Sequence, residues 1–137
     1  MPTTRELSVR MEDQPGALGK ICRGLADRGV NILAFQSIPS AGKGVVRLIV
    51  DDPTEAKSVL DNLKVKYDEA QVAQVKLPHR PGELARAASK LGEASVNINY
   101  AYCGIEPGST EPFLIFGVAD ANRAAKILEE AAKAARA

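Results

Sequence analysis

Apolar and polar residues alternate over residues 5–11, with Leu7, Val9 and Met11 on one side, the period of a half-buried strand. Asp13-Gln14-Pro15-Gly16 breaks that pattern. Beyond it Leu18, Ile21, Cys22 and Leu25 recur at three- and four-residue spacing, which predicts a helix with Pro15 as its first residue and Gly29 as its stop. Residues 30–38 and 45–50 read as strands on either side of a Pro/Gly-rich loop, and Asp52-Pro53 opens a second helix striped by Ala56, Val59, Leu60 and Leu63. Residues 65–70 are left to close this group, and 72–77 read as the next strand. The series then repeats: helix 81–91, strand 96–102, strand 113–118 and helix 121–135.

The repetition is literal in places. Residues 15–32 and 81–98 are related by an offset of 66, and seven of eighteen positions are identical: Pro, Gly, Leu, Leu, Val, Asn and Ile. After a longer second loop the offset becomes 68, as Val50 against Val118 shows. Two modules, 1–70 and 71–137, follow from that period. Each is small enough that it should bury surface against the other. The strand and helix order gives an α+β fold of two tandem ferredoxin-like βαββαβ modules. In each an antiparallel sheet carries its helices on one face. The second module runs out of chain before its last strand. The inner edge of 72–77 therefore needs a cover, either from residues 64–70 or from a partner chain.

Composition narrows the function. A formal net charge of +1, with acids and bases mixed along the chain and no basic run interleaved with aromatics, argues against nucleic-acid binding. No apolar run is long enough to span a bilayer, and residues 1–10 lack the apolar core of a signal peptide, so a cytoplasmic location is expected. Cys22 and Cys103 occupy non-equivalent repeat positions and are expected to be reduced thiols. One histidine, two unrelated cysteines and no nucleophile motif leave no catalytic set to assemble; an enzyme is not expected, nor a cofactor or metal.

With its motif [Asp/His]-x-Pro-Gly-x-Leu, a helix, and Val-Asn-Ile on a strand, the chain resembles the ACT domain family. Asp13-Gln14-Pro15-Gly16-Ala17-Leu18 with Val30-Asn31-Ile32 carries the likeness once, and His79-Arg80-Pro81-Gly82-Glu83-Leu84 with Val96-Asn97-Ile98 carries it again. The resemblance implies regulatory binding of small molecules, usually amino acids, near the first loop and the start of the second strand. It also implies paired domains, hence a homodimer, and an enzyme partner acted on in trans. Two further readings belong to the same resemblance. One is an assembly subunit without a ligand, like the small subunit of acetolactate synthase. The other is a repressor of glycine-cleavage type, for which the near-neutral charge offers no means of holding DNA.

The residues suit an amino acid on chemical grounds. N–H groups at a helix start, those of Gly16, Ala17 and Leu18 or of Gly82, Glu83 and Leu84, can receive a carboxylate. Glycine lets a ligand approach the backbone. Asn31, Asn97 and Asp13 can accept from an ammonium. His79 and Arg80 stand where the first copy has Asp13 and Gln14, and they would repel an ammonium, so the first copy is expected to be the better site. Turn chemistry alone also explains a Pro-Gly pair, and Asn at a strand entrance also serves backbone hydrogen bonds. Tyr100 and Tyr102 are expected on opposite faces of their strand.

Overall fold

The computed structural model describes residues 3–40 and 42–137. Its elements follow the order β1 (Thr3–Glu12), α1 (Ala17–Asp27), β2 (Ile32–Ser40), β3 (Lys43–Val50), α2 (Pro53–Asn62), β4 (Tyr67–Lys76), α3 (Glu83–Glu93), β5 (Tyr100–Gly104), β6 (Phe113–Gly117) and α4 (Ala121–Arg136). The chain divides into two compact units, Arg5–Ala70 and a second that joins Gln71–Ala137 to the residues up to Thr4.

In the first unit β1 and β2 both pair antiparallel with β3, Leu7 opposite Leu48 and Phe35 also opposite Leu48. The alternation along β1 and β3 sends Leu7, Val9, Val46, Leu48 and Val50 to one face. There they meet Ile21 and Leu25 of α1 and Ala56, Val59 and Leu60 of α2. Residue 66 lies beside β1, where the Arg10 N–H donates to the Lys66 carbonyl over 2.9 Å. In the second unit β6 pairs antiparallel with β4 and β5, Ala73 and Ala101 both opposite Phe116. Ala73, Val75, Leu77 and Phe116 pack with Ala87 and Leu91 of α3 and Ala124, Ala125 and Leu128 of α4.

The helix ends repeat in detail. Asp52 and Asp120 cap α2 and α4, each accepting from the N–H three residues on, those of Glu55 and Arg123, over 3.0 Å. Helices α1, α2 and α3 stop at residues with left-handed backbone: Gly29 (φ 73°), Lys64 (φ 58°) and Ser95 (φ 59°). The N–H groups that follow, of Val30, Val65 and Val96, reach back to the carbonyls of Leu25, Leu60 and Leu91. That six-to-one bond satisfies a carbonyl the helix leaves orphaned.

Three expectations are corrected. The two strands expected at 65–70 and 72–77 are one continuous strand, β4. Its first part therefore cannot fold back to cover its own continuation. Near Gln71 the start of β1 lies alongside, the Gln71 Nε2 donating to Thr3 Oγ1 over 3.1 Å. At the far end the Arg136 guanidinium donates to the Lys76 carbonyl over 3.4 Å. Second, β5 begins at Tyr100 rather than at residue 96, and Val96 and Ile98 pack on the core ahead of it. Third, Tyr100 and Tyr102 share a face, as residues two apart on a strand must, and their rings stack with centroids 6.4 Å apart. Gly117 makes room for this: it pairs with Tyr100, and an added Cβ would collide with that ring. The first unit solves the same packing in reverse, with Ala34 opposite Ile49.

Candidate functional site

The first Pro-Gly segment links β1 to α1. The Ala17 N–H donates to the Gln14 carbonyl over 3.3 Å, and Gly16 sits at φ 89°, ψ −13°. This is the geometry of a type II turn, with Pro15 and Gly16 at its two central positions. Only glycine holds that φ without strain. Gly16 is therefore the N-cap, and Pro15 stands outside the helix rather than at its first position. The turn uses the Ala17 N–H, so that group is not a free donor. The N–H groups of Gly16 and Leu18 have no hydrogen bond among the described residues, and no side chain caps α1. The helix start thus keeps free donors and its partial positive charge. Asp13, Gln14, Pro15 and Gly16 are exposed, and an added Cβ on Gly16 would meet only open space. Half-buried Leu18 packs against the core and anchors the turn to the unit.

The second segment has the same backbone. The Glu83 N–H donates to the Arg80 carbonyl over 3.4 Å, and Gly82 sits at φ 92°, ψ −16°. Its side chains differ in use. Glu83 is only 4% exposed. Its Oε1 accepts from the Arg86 guanidinium over 2.7 Å. Its Oε2 lies 3.6 Å from Arg80 and accepts no hydrogen bond. The Arg80 guanidinium also donates to the Ala135 carbonyl, over 2.7 Å, and so braces the last turn of α4. An anion of the chain's own already sits in the first turn of α3, where a carboxylate is favoured. Leu84, unlike Leu18, is 56% exposed, and Pro81 and His79 are exposed too.

Asn31 and Asn97 precede their strands rather than lying on them. Asn31 is held through its backbone: its N–H donates to Asp51 Oδ1 over 2.9 Å, and its carbonyl accepts from the Asp51 N–H over 3.1 Å. Its side-chain amide makes no hydrogen bond among the described residues. Asn97 is engaged, its Nδ2 donating to Asn99 Oδ1 over 3.0 Å. Sequence reasoning missed Asp51, Arg86 and Asn99 as the partners of these residues. The doubled acid Asp51-Asp52 after β3 was the available signal, one residue clamping Asn31 and the other capping α2.

Among the described residues no group of three or more His, Cys, Asp or Glu could hold a metal ion. No described helix is long and apolar enough to cross a membrane. Both cysteines are free thiols, Cys103 exposed and Cys22 half-buried, and burial pushes the Cys22 thiol above its ordinary range.

The family model for the ACT domain matches residues 5–65. No curated protein sequence matches the chain. Among solved structures, a Bacteroides thetaiotaomicron protein is similar with a TM-score of 0.82 at 24% identity, over 93% of this chain and 88% of that one. The regulatory subunit of aspartate kinase from Thermus thermophilus is similar with a TM-score of 0.64 at 18% identity, over 95% and 92%. Aspartate kinase from Clostridium acetobutylicum is similar with a TM-score of 0.58 at 19% identity, over 96% of this chain but 32% of the enzyme. At these identities the likeness is one of fold.

Proposed function

From the match of the ACT domain family model to residues 5–65, we propose that the chain is a regulatory, non-catalytic protein that binds an amino acid at the first Pro-Gly turn. The single observation that carries this is the start of α1, uncapped like that of α3 but with no acidic side chain in its first turn, where α3 has Glu83. The N–H groups of Gly16 and Leu18 are free among the described residues, and the exposed carboxylate of Asp13 stands three residues before Gly16. The ligand's carboxylate takes the helix start, and its ammonium takes Asp13 and the free amide oxygen of Asn31. The second unit is a second, altered ACT-like module, in which Arg80 and Glu83 serve the fold. The protein acts in trans on a metabolic enzyme, as a homodimer. The fold it shares with an aspartate kinase regulatory subunit supports the regulatory role in trans.

The test is thermal unfolding of the full chain in the presence of each of the twenty amino acids at millimolar concentration. Binding to the folded state raises the melting temperature by mass action, about 2.7 kcal/mol of stabilisation at a hundred times Kd. A concentration-dependent rise for one amino acid, or for one chemical group of them, is expected. No rise for any leaves the assembly-subunit reading in its place.

A further inference from the structure

The first unit holds a cavity of about 720 Å³ beside the exit of β1. Its lining includes Arg10, Lys43, Lys64 and Lys66 against one carboxylate, Glu12. The apolar part of the wall is Met11, Val45 and Val65. Glycine at position 44 keeps the wall close, because an added Cβ would press on the Met11 side chain at 3.1 Å.

Of the nearby acids, Asp61, which lines a neighbouring cavity with Lys66, accepts from the Tyr67 hydroxyl over 3.0 Å. Glu12 holds Lys43 over 2.8 Å, and Asp68 holds Arg10 over 3.0 Å. Lys64 and Lys66 have no ion pair among the described residues. In a chain of formal net charge +1, a concave surface with two uncompensated cations is a local concentration of charge.

The second unit supplies an internal control. The repeat offsets place Lys76 opposite Arg10 and Phe113 opposite Val45, and both line a cavity of about 550 Å³. That cavity is neutralised. Lys76 pairs with Glu106 over 2.7 Å, Arg136 pairs with Glu111 over 2.6 Å, and Lys133 shares its wall with Glu129.

We propose that the first-unit cavity binds a small dianion, its two negative charges on Lys64 and Lys66 and any apolar frame against Val45 and Val65. A dicarboxylate and a phosphate monoester share this chemistry. The site uses none of the residues from Asp13 to Leu18 and does not use Asn31. Its failure and the failure of the amino-acid site can therefore be told apart.

Amide chemical shifts of the ¹⁵N-labelled full chain, titrated separately with succinate and with inorganic phosphate at low salt, test it. Saturable shifts at residues 11–12, 44–45 and 64–66 are expected with at least one probe, and the tighter probe names the source. Replacing two exposed lysines, Lys64→Gln with Lys66→Gln, should weaken that binding at least about tenfold, since a hydrogen bond to a charged group contributes that much or more. Lys133→Gln in the second unit should leave it unchanged. Added salt should weaken it, because the contact is exposed. Shifts that never saturate, that fall equally around Lys133, or that survive the double substitution overturn the proposal.

Discussion

The two Pro-Gly turns share a backbone and differ in what their side chains do with it. Gly16 and Gly82 adopt nearly the same left-handed conformation, φ 89° and 92°, and both turns close on a main-chain bond from the residue after the glycine. At the first turn the neighbours face outward: Asp13 and Gln14 are exposed, and Ala17 brings no charge to the helix start. At the second, Glu83 brings its own carboxylate inward, and Arg80 ties it to the end of α4. Both helix starts lack a side-chain cap, and Pro and Gly fix the same turn at each, so what differs is the charge beside the turn: none from Ala17, a buried carboxylate from Glu83.

That contrast can be broken by substitution. Arg80→Ala removes the donor to Ala135 and leaves buried Glu83 with Arg86 alone. A loss of about 2 kcal/mol in urea unfolding is expected, a figure lowered for the half-exposed guanidinium. The matching Gln14→Ala touches an exposed side chain and should stay within about 0.5 kcal/mol. Equal losses would erase the distinction. Gly16→Ala and Gly82→Ala test what the copies share: each forces Cβ into left-handed backbone and should cost about 1–2 kcal/mol, alike in both units. A cheap substitution at either glycine would mean the turn is not held as described. Leu18→Ala should cost about 1 kcal/mol by loss of apolar burial, and Leu84→Ala less than about 0.5 kcal/mol because Leu84 is already mostly in water. A reversed order would place Leu84, not Leu18, in the anchoring role.

Much of this fold is legible in the sequence because it rests on periods. Leu7, Val9 and Met11 alternate, while Ile21 and Leu25 recur at helical spacing, and each set buries the expected face. Pro-Gly is legible as a boundary but misleads about register. Helix propensity places Pro15 inside α1, whereas the i to i+3 bond from Ala17 makes it a turn residue. The strand break expected near residue 71 does not occur, since alternation cannot mark where one module hands a strand to the next. The roles of Arg80 and Glu83 depend on Ala135, distant in sequence, and no local pattern encodes that meeting. Gly117 is similar: its lack of a side chain is explained only by the Tyr100 ring that lies across it.

The most direct test of the central claim is calorimetric titration of the best-stabilising amino acid into the wild-type chain, Asp13→Ala and His79→Ala. The expected result is one site per chain, weakened at least about tenfold by Asp13→Ala through loss of a charged hydrogen-bond acceptor and unchanged by His79→Ala. Two equivalent sites, or a loss confined to His79→Ala, would contradict it.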